Sequence, residues 1–122
     1  DGGRFLGATF DPSGLYRQRA VFDWLDAIDV DVPAIHAHVL ALQDRFLAGV
    51  EALRPLATAR LVTPLEGGRG HFLTFETRRL LAARLVTDVR GDRLRFGFGC
   101  YHTTQEIDAA LARMGEVLTL SA

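Results

Sequence analysis

Ile35, Val39, Leu42, Phe46, Val50 and Leu53 recur at steps of four and three. An α-helix gathers such positions onto one side, so this run predicts an amphipathic helix with an unbroken apolar stripe. A stripe of that size must lie against a second apolar layer, and the fold has to supply one. Asp31 caps the start of this helix, Pro33 follows close behind, and the helix stops before Pro55.

Beyond Pro55 the hydrophobic period changes. "ARLVT" at 59–63 and "HFLTFE" at 71–76 read as short strands, joined by the flexible "PLEGGRG". Thr77 opens a short helix that runs to about Leu85. "VTDVR" and "RLRFGF" then form two strands around Gly91-Asp92, a dipeptide suited to a tight hairpin. Thr103 with Glu106 makes a capping box, and Ile107, Leu111, Met114 and Leu118 give the last helix its buried stripe. Ahead of all this, Asp11 and Pro12 start a first helix in which Leu15, Phe22, Leu25 and Ile28 keep rough helical spacing. Tyr16 and Trp24 widen its apolar surface, so it is expected to pack on two sides. The order α-α-β-β-α-β-β-α predicts a small α+β domain, a mostly antiparallel sheet covered by helices.

The 122 residues suffice for one domain with a modest core. Basic and acidic residues nearly balance, at a formal net charge of −1, which argues against a nucleic-acid or anionic-membrane surface. No apolar run reaches the ~18 residues of a membrane helix, and "DGGRFLGATF" does not read as a signal peptide. A single cysteine, Cys100, excludes an internal disulfide and fits a reducing cytoplasm. All 14 basic residues are arginine, so no lysine of this chain can form a Schiff base. The chain starts at Asp1 in glycine-rich sequence, which raises the expectation of a fragment or a processed C-terminal domain.

Arg95 is the residue that a plain core strand would not carry. Alternation puts Leu94, Phe96 and Phe98 on one face and Arg93, Arg95 and Gly97 on the other. Gly97 and Gly99 keep the second face low beside Arg95. A guanidinium grips a carboxylate through two hydrogen bonds; the same residue also reads as a surface arginine paired with Asp88 or Asp92. His36 and His38 lie two apart, about 200° around a helix, so they do not share a ligand face and read as structural or surface residues. His71 and His102 are isolated, and Cys100 reads as an unreactive free thiol. "EGGRG" lacks the lysine and Ser/Thr of a phosphate loop. "GATFDPSG" at 7–14 serves either as a plain helix cap or, through Thr9 and nearby amides, as a phosphate contact.

Taken together, "DVRGDRLRFGFGCYHTTQEIDAAL" resembles the C-terminal end of the class V aminotransferase superfamily, whose enzymes use pyridoxal 5′-phosphate. The arginine in a strand is Arg95, the Tyr-Asn-Thr-like turn is Tyr101-His102-Thr103, and Glu106-Ile107-Asp108 continues the pattern. Asp88 with Arg90, "RFGF" at 95–98 and Cys100-Tyr101 are most similar to the kynureninase branch. "GATFDPSGLYRQRAVFDWL" resembles the entry to the helix that links the two domains in these enzymes. Cys100 follows the arginine strand, whereas the cysteine desulfurase branch carries its nucleophile before it.

The resemblance implies that residues 1–122 are a single C-terminal small domain of the pyridoxal-phosphate-dependent transferase fold. Residues about 12–30 would form the interdomain-type helix. Arg95 would bind the α-carboxylate of an amino-acid substrate, and Thr9 would reach the cofactor phosphate. The implied activity is that of a kynureninase-like hydrolase or another class V aminotransferase or lyase. The Schiff-base lysine would lie in a large N-terminal domain not included here, with a homodimer as the assembly. The alternative is a stand-alone, non-catalytic module for dimerisation or carboxylate binding.

Overall fold

The computed structural model describes residues 11–54, 56–77 and 88–119. They form helices α1 (Ser13–Ala27), α2 (Val32–Val50) and α3 (Thr104–Thr119), and strands β1 (Arg60–Leu61), β2 (Phe72–Glu76), β3 (Asp88–Arg90) and β4 (Arg93–Gly97). The chain is α+β, with an antiparallel sheet in the order β1-β2-β4-β3. The short helix expected between Thr77 and about Leu85 lies outside the described residues, as does Thr9.

Two compact units divide the chain, Asp1–Ala34 and Ile35–Ala122. In the first, Asp11 accepts the Ser13 amide through Oδ1 at 2.9 Å and the Ser13 hydroxyl through Oδ2 at 2.8 Å. The aspartate therefore satisfies one of the amide groups a helix start leaves unpaired. At the other end Asp29 takes a φ of 54°, and the Val30 amide closes onto the Leu25 carbonyl at 3.0 Å. That is the left-handed closing turn where glycine is commonest, filled here by an aspartate that tolerates it. None of α1 is buried, and Leu15, Tyr16, Phe22 and Trp24 are exposed.

The second unit holds the core. Val39, Leu42, Phe46 and Val50 of the α2 stripe are buried, together with Leu56, Leu73, Phe75, Leu94, Phe98, Ile107 and Met114. Ile35 and Leu53, at the ends of the stripe, are half-buried. Strand alternation sets what remains: Leu73 and Phe75 of β2 and Leu94 of β4 turn to the helices. Residues opposite one another share a face, so the pairs Thr74–Arg95, Glu76–Arg93, Asp88–Arg95 and Arg90–Arg93 all stand on the other side. Gly91, with φ at 64°, makes the tight turn that sets this register between β3 and β4.

The capping box predicted at the start of α3 is present. Glu106 accepts the Thr103 amide at 2.7 Å and its hydroxyl at 3.0 Å, while the Glu106 amide donates to Thr103 Oγ1 at 3.3 Å. The amide bond first, and then the hydroxyl bond, hold the Glu106 carboxyl below its ordinary value of 4.5. Asp108 is lowered by the hydrogen bonds of Arg45, whose Nε and Nη2 meet its two oxygens at 2.7 Å each and tie α2 to α3. Both carboxyls are lowered on folding. Their contribution to stability is complete above the ordinary values and is lost as pH falls through the lowered ones. The window of loss lies below pH 4.5 for Glu106 and below pH 3.8 for Asp108. In Thr103→Ala, Glu106 is expected to titrate at higher pH than in the parent, read from the carbon-13 shift of its carboxyl. An unmoved midpoint would show that the threonine hydroxyl contributes nothing.

Candidate carboxylate site

Arg95 leaves the middle of β4 on the face away from the core, with its side chain 27% exposed. Its guanidinium carbon stands 4.2 Å from the centre of the Phe72 ring, a distance at which the ring face attracts the cation. Phe72 is available because it occupies an outward position of β2, where "HFLTFE" places a phenylalanine on an otherwise polar face. Among the described residues one hydrogen bond ties the guanidinium to the protein: Nη1 donates to Asp88 Oδ2 at 3.3 Å. The same oxygen also accepts from Arg90 Nε at 3.2 Å. The pairing with Asp88, one of two partners the sequence offered, is therefore real.

Two ion pairs of this chain differ in a way that bears on function. Arg45 and Asp108 meet fork to fork, with two bonds at 2.7 Å. Arg95 is held at one corner by a longer bond to an oxygen it shares with Arg90. Bidentate geometry is what makes arginine–carboxylate pairs strong and specific, and Arg95 lacks it. Its remaining donors meet no acceptor among the described residues.

A cavity of about 520 Å³ opens beside it, within the range of small-molecule sites. Phe46, Phe72, Phe96 and Phe98 supply apolar wall, and Asp88, Arg95, His102 and Glu106 supply polar groups. Gly97 lines the same cavity, and a Cβ there would meet nothing within 4 Å. Gly99 is small for a different reason: a Cβ would lie 2.3 Å from the Tyr101 ring, so the residue makes room for that tyrosine.

The histidines take structural positions. His102 accepts the Gly99 amide on Nδ1 at 3.0 Å, and its own amide donates to the Gly99 carbonyl at 3.1 Å, closing the turn between β4 and α3. His38 donates from Nε2 to the His102 carbonyl at 2.9 Å. His36 shares a hydrogen bond with His71, Nδ1 to Nε2 at 3.2 Å, with the rings stacked. Sequence spacing separated His36 from His38 but gave no sign of the partner 35 residues on. No cluster of three metal-ligating side chains occurs among the described residues. Cys100 is a free, exposed thiol.

Fold and site together give an α+β chain with an aromatic cavity and, at its wall, an arginine held at one corner by Asp88. Compared with protein-family models and with curated proteins, the chain matches none. No helix among the described residues is long and apolar enough to cross a membrane.

The residues present do not form a complete pyridoxal 5′-phosphate site. The chain contains no lysine to hold the cofactor as a Schiff base.

Proposed function

We propose that this chain binds the carboxylate of a small amino acid at Arg95. The observation that carries the reading is the half-engaged guanidinium at the wall of an aromatic cavity. The cavity combines the Arg95 guanidinium, held at one corner, with the carboxylates of Asp88 and Glu106 and four phenylalanines. That set complements a zwitterionic amino acid. The resemblance to kynureninase-like enzymes supports the same role, and under it the chain is the substrate-binding small domain of a pyridoxal-phosphate enzyme, working as a homodimer. The cofactor lysine then belongs to a domain outside this sequence. One observation favours a second reading: the lysine-free composition suits a stand-alone carboxylate-binding module as well.

Benzoate tests the site directly, with benzamide as the neutral control. Benzoate is expected to shift the arginine Nε–H signal of Arg95 in NMR titrations while benzamide does not. Arg95→Gln is expected to weaken benzoate binding by about ten- to a hundredfold, the range for charge-assisted hydrogen bonds. Equal binding of benzoate by parent and variant would overturn the assignment. The coding sequence upstream of Asp1 separates the two readings. An in-frame domain carrying a lysine supports the enzyme, and a start codon directly before Asp1 supports the module.

A further inference from the structure

On the open face of the sheet the register produces a juxtaposition that sheet energetics disfavours. Arg90 of β3 stands directly opposite Arg93 of β4, and like charges in that relation repel. Arg93 has Glu76 as its neighbour on the other side, and Arg60 Nε donates to Glu76 Oε2 at 2.7 Å. Among the described residues no ion pair neutralises Arg93. Arg95 follows two residues along the same strand and face, about 6.8 Å away along the backbone. A second cavity of about 580 Å³ covers this row, lined by Phe72, Thr74, Arg90, Asp92, Arg93 and Arg95. Arg95 and Phe72 line both cavities, so the two open onto a common guanidinium.

We propose that this second cavity receives a second carboxylate of the same ligand, making the preferred ligand class a dicarboxylate that spans Arg95 and the Arg90–Arg93 pair. The proposal rests on the assignment of Arg95 as a carboxylate-binding residue. A carboxylate set between Arg90 and Arg93 replaces a cross-strand repulsion by two attractions, and each guanidinium presents donors that match it. Asp88 does not fill this role, because its Oδ2 is already divided between Arg90 and Arg95. Arg90 has Asp88 as a partner, whereas Arg93 has no ion pair among the described residues, and a local repulsion left half-compensated there points to a partner from outside.

Glutarate and butyrate, titrated by calorimetry into the full chain, are the probes. Glutarate is expected to bind at least about fivefold tighter than butyrate at low salt, and the difference should shrink as salt screens the exposed Arg93. Arg93→Gln is expected to bring glutarate down to the affinity of butyrate. Arg95→Gln should weaken both. Equal affinities for the two acids in the parent, or an advantage for glutarate that survives Arg93→Gln, would overturn the second subsite and leave the Arg95 assignment standing. Binding of both acids that is insensitive to Arg95→Gln, or no binding of either, would overturn the Arg95 assignment and the second subsite with it.

Discussion

Phe46→Ala is expected to cost about 3–5 kcal/mol of folding stability, the range for emptying a large buried aromatic position. Phe46 is 3% exposed and sits at the centre of an aromatic group. Its ring centroid lies 4.8 Å from that of Phe96, 5.5 Å from Phe98 and 6.5 Å from Phe75. Those neighbours come from β2, β4 and the segment after β4, so they are fixed by the sheet and cannot collapse into the space left behind. Phe46 also lines the cavity beside Arg95, so the truncation joins a void in the core to the candidate site. A domain of this size is stable by only about 5–15 kcal/mol, and the loss is a large fraction of that. Urea unfolding followed by circular dichroism measures it. The single tryptophan, Trp24, belongs to the other compact unit and is the wrong reporter. A loss below about 1 kcal/mol would show that the aromatic group is not the centre of the core.

The second large effect is expected at a polar residue. Gln43 is 0% exposed on α2 and occupies both ends of its amide. Nε2 donates to the Gly70 carbonyl at 2.9 Å, and Oε1 accepts from Arg69 Nε at 2.8 Å. Arg69 is itself only 9% exposed, and its Nη2 reaches Asp44. Gln43→Leu removes a partner from the Gly70 carbonyl and from one edge of the nearly buried Arg69 guanidinium. The expected loss is about 2–3 kcal/mol, the cost of stranding a buried polar group with a charged neighbour. Gln105→Leu, at an exposed position of α3, should stay within about 0.5 kcal/mol and serves as the control. Faster amide exchange at Gly70 in the Gln43 variant would confirm that the loop is released. Comparable stabilities for the two variants would show that the Gln43 bonds contribute little.

Gln43 also shows where sequence reading ended. "PLEGGRG" read as a flexible connection, and its glycines justify that as far as local preference goes. Nothing within the segment reveals that a glutamine more than 20 residues earlier holds its far end. Arg95 is an instructive middle case. Alternation in "RLRFGF" placed it on the face away from the core, and the choice of Asp88 as partner followed from the hairpin. The ring beneath it was signalled too, by a phenylalanine at the outward position of "HFLTFE". The cavity itself was not, because Phe46, Phe98 and Glu106 reach it from three separate segments.

Hydrophobic period, caps and turn chemistry are properties of neighbouring residues, and the sequence alone determined what depends on them. These are the helix around Phe46, its start at Asp31, the hairpin at Gly91-Asp92, the capping box at Thr103 and the α+β class. Pairing between polar groups depends on which segments the core brings together. Only the tertiary structure decided that Gln43 meets Gly70, that His36 meets His71, and that Arg93 has no ion pair among the described residues. The physical reason is that burial acts on any apolar side chain in the right period, whereas a hydrogen bond or ion pair needs one particular partner within about 3 Å.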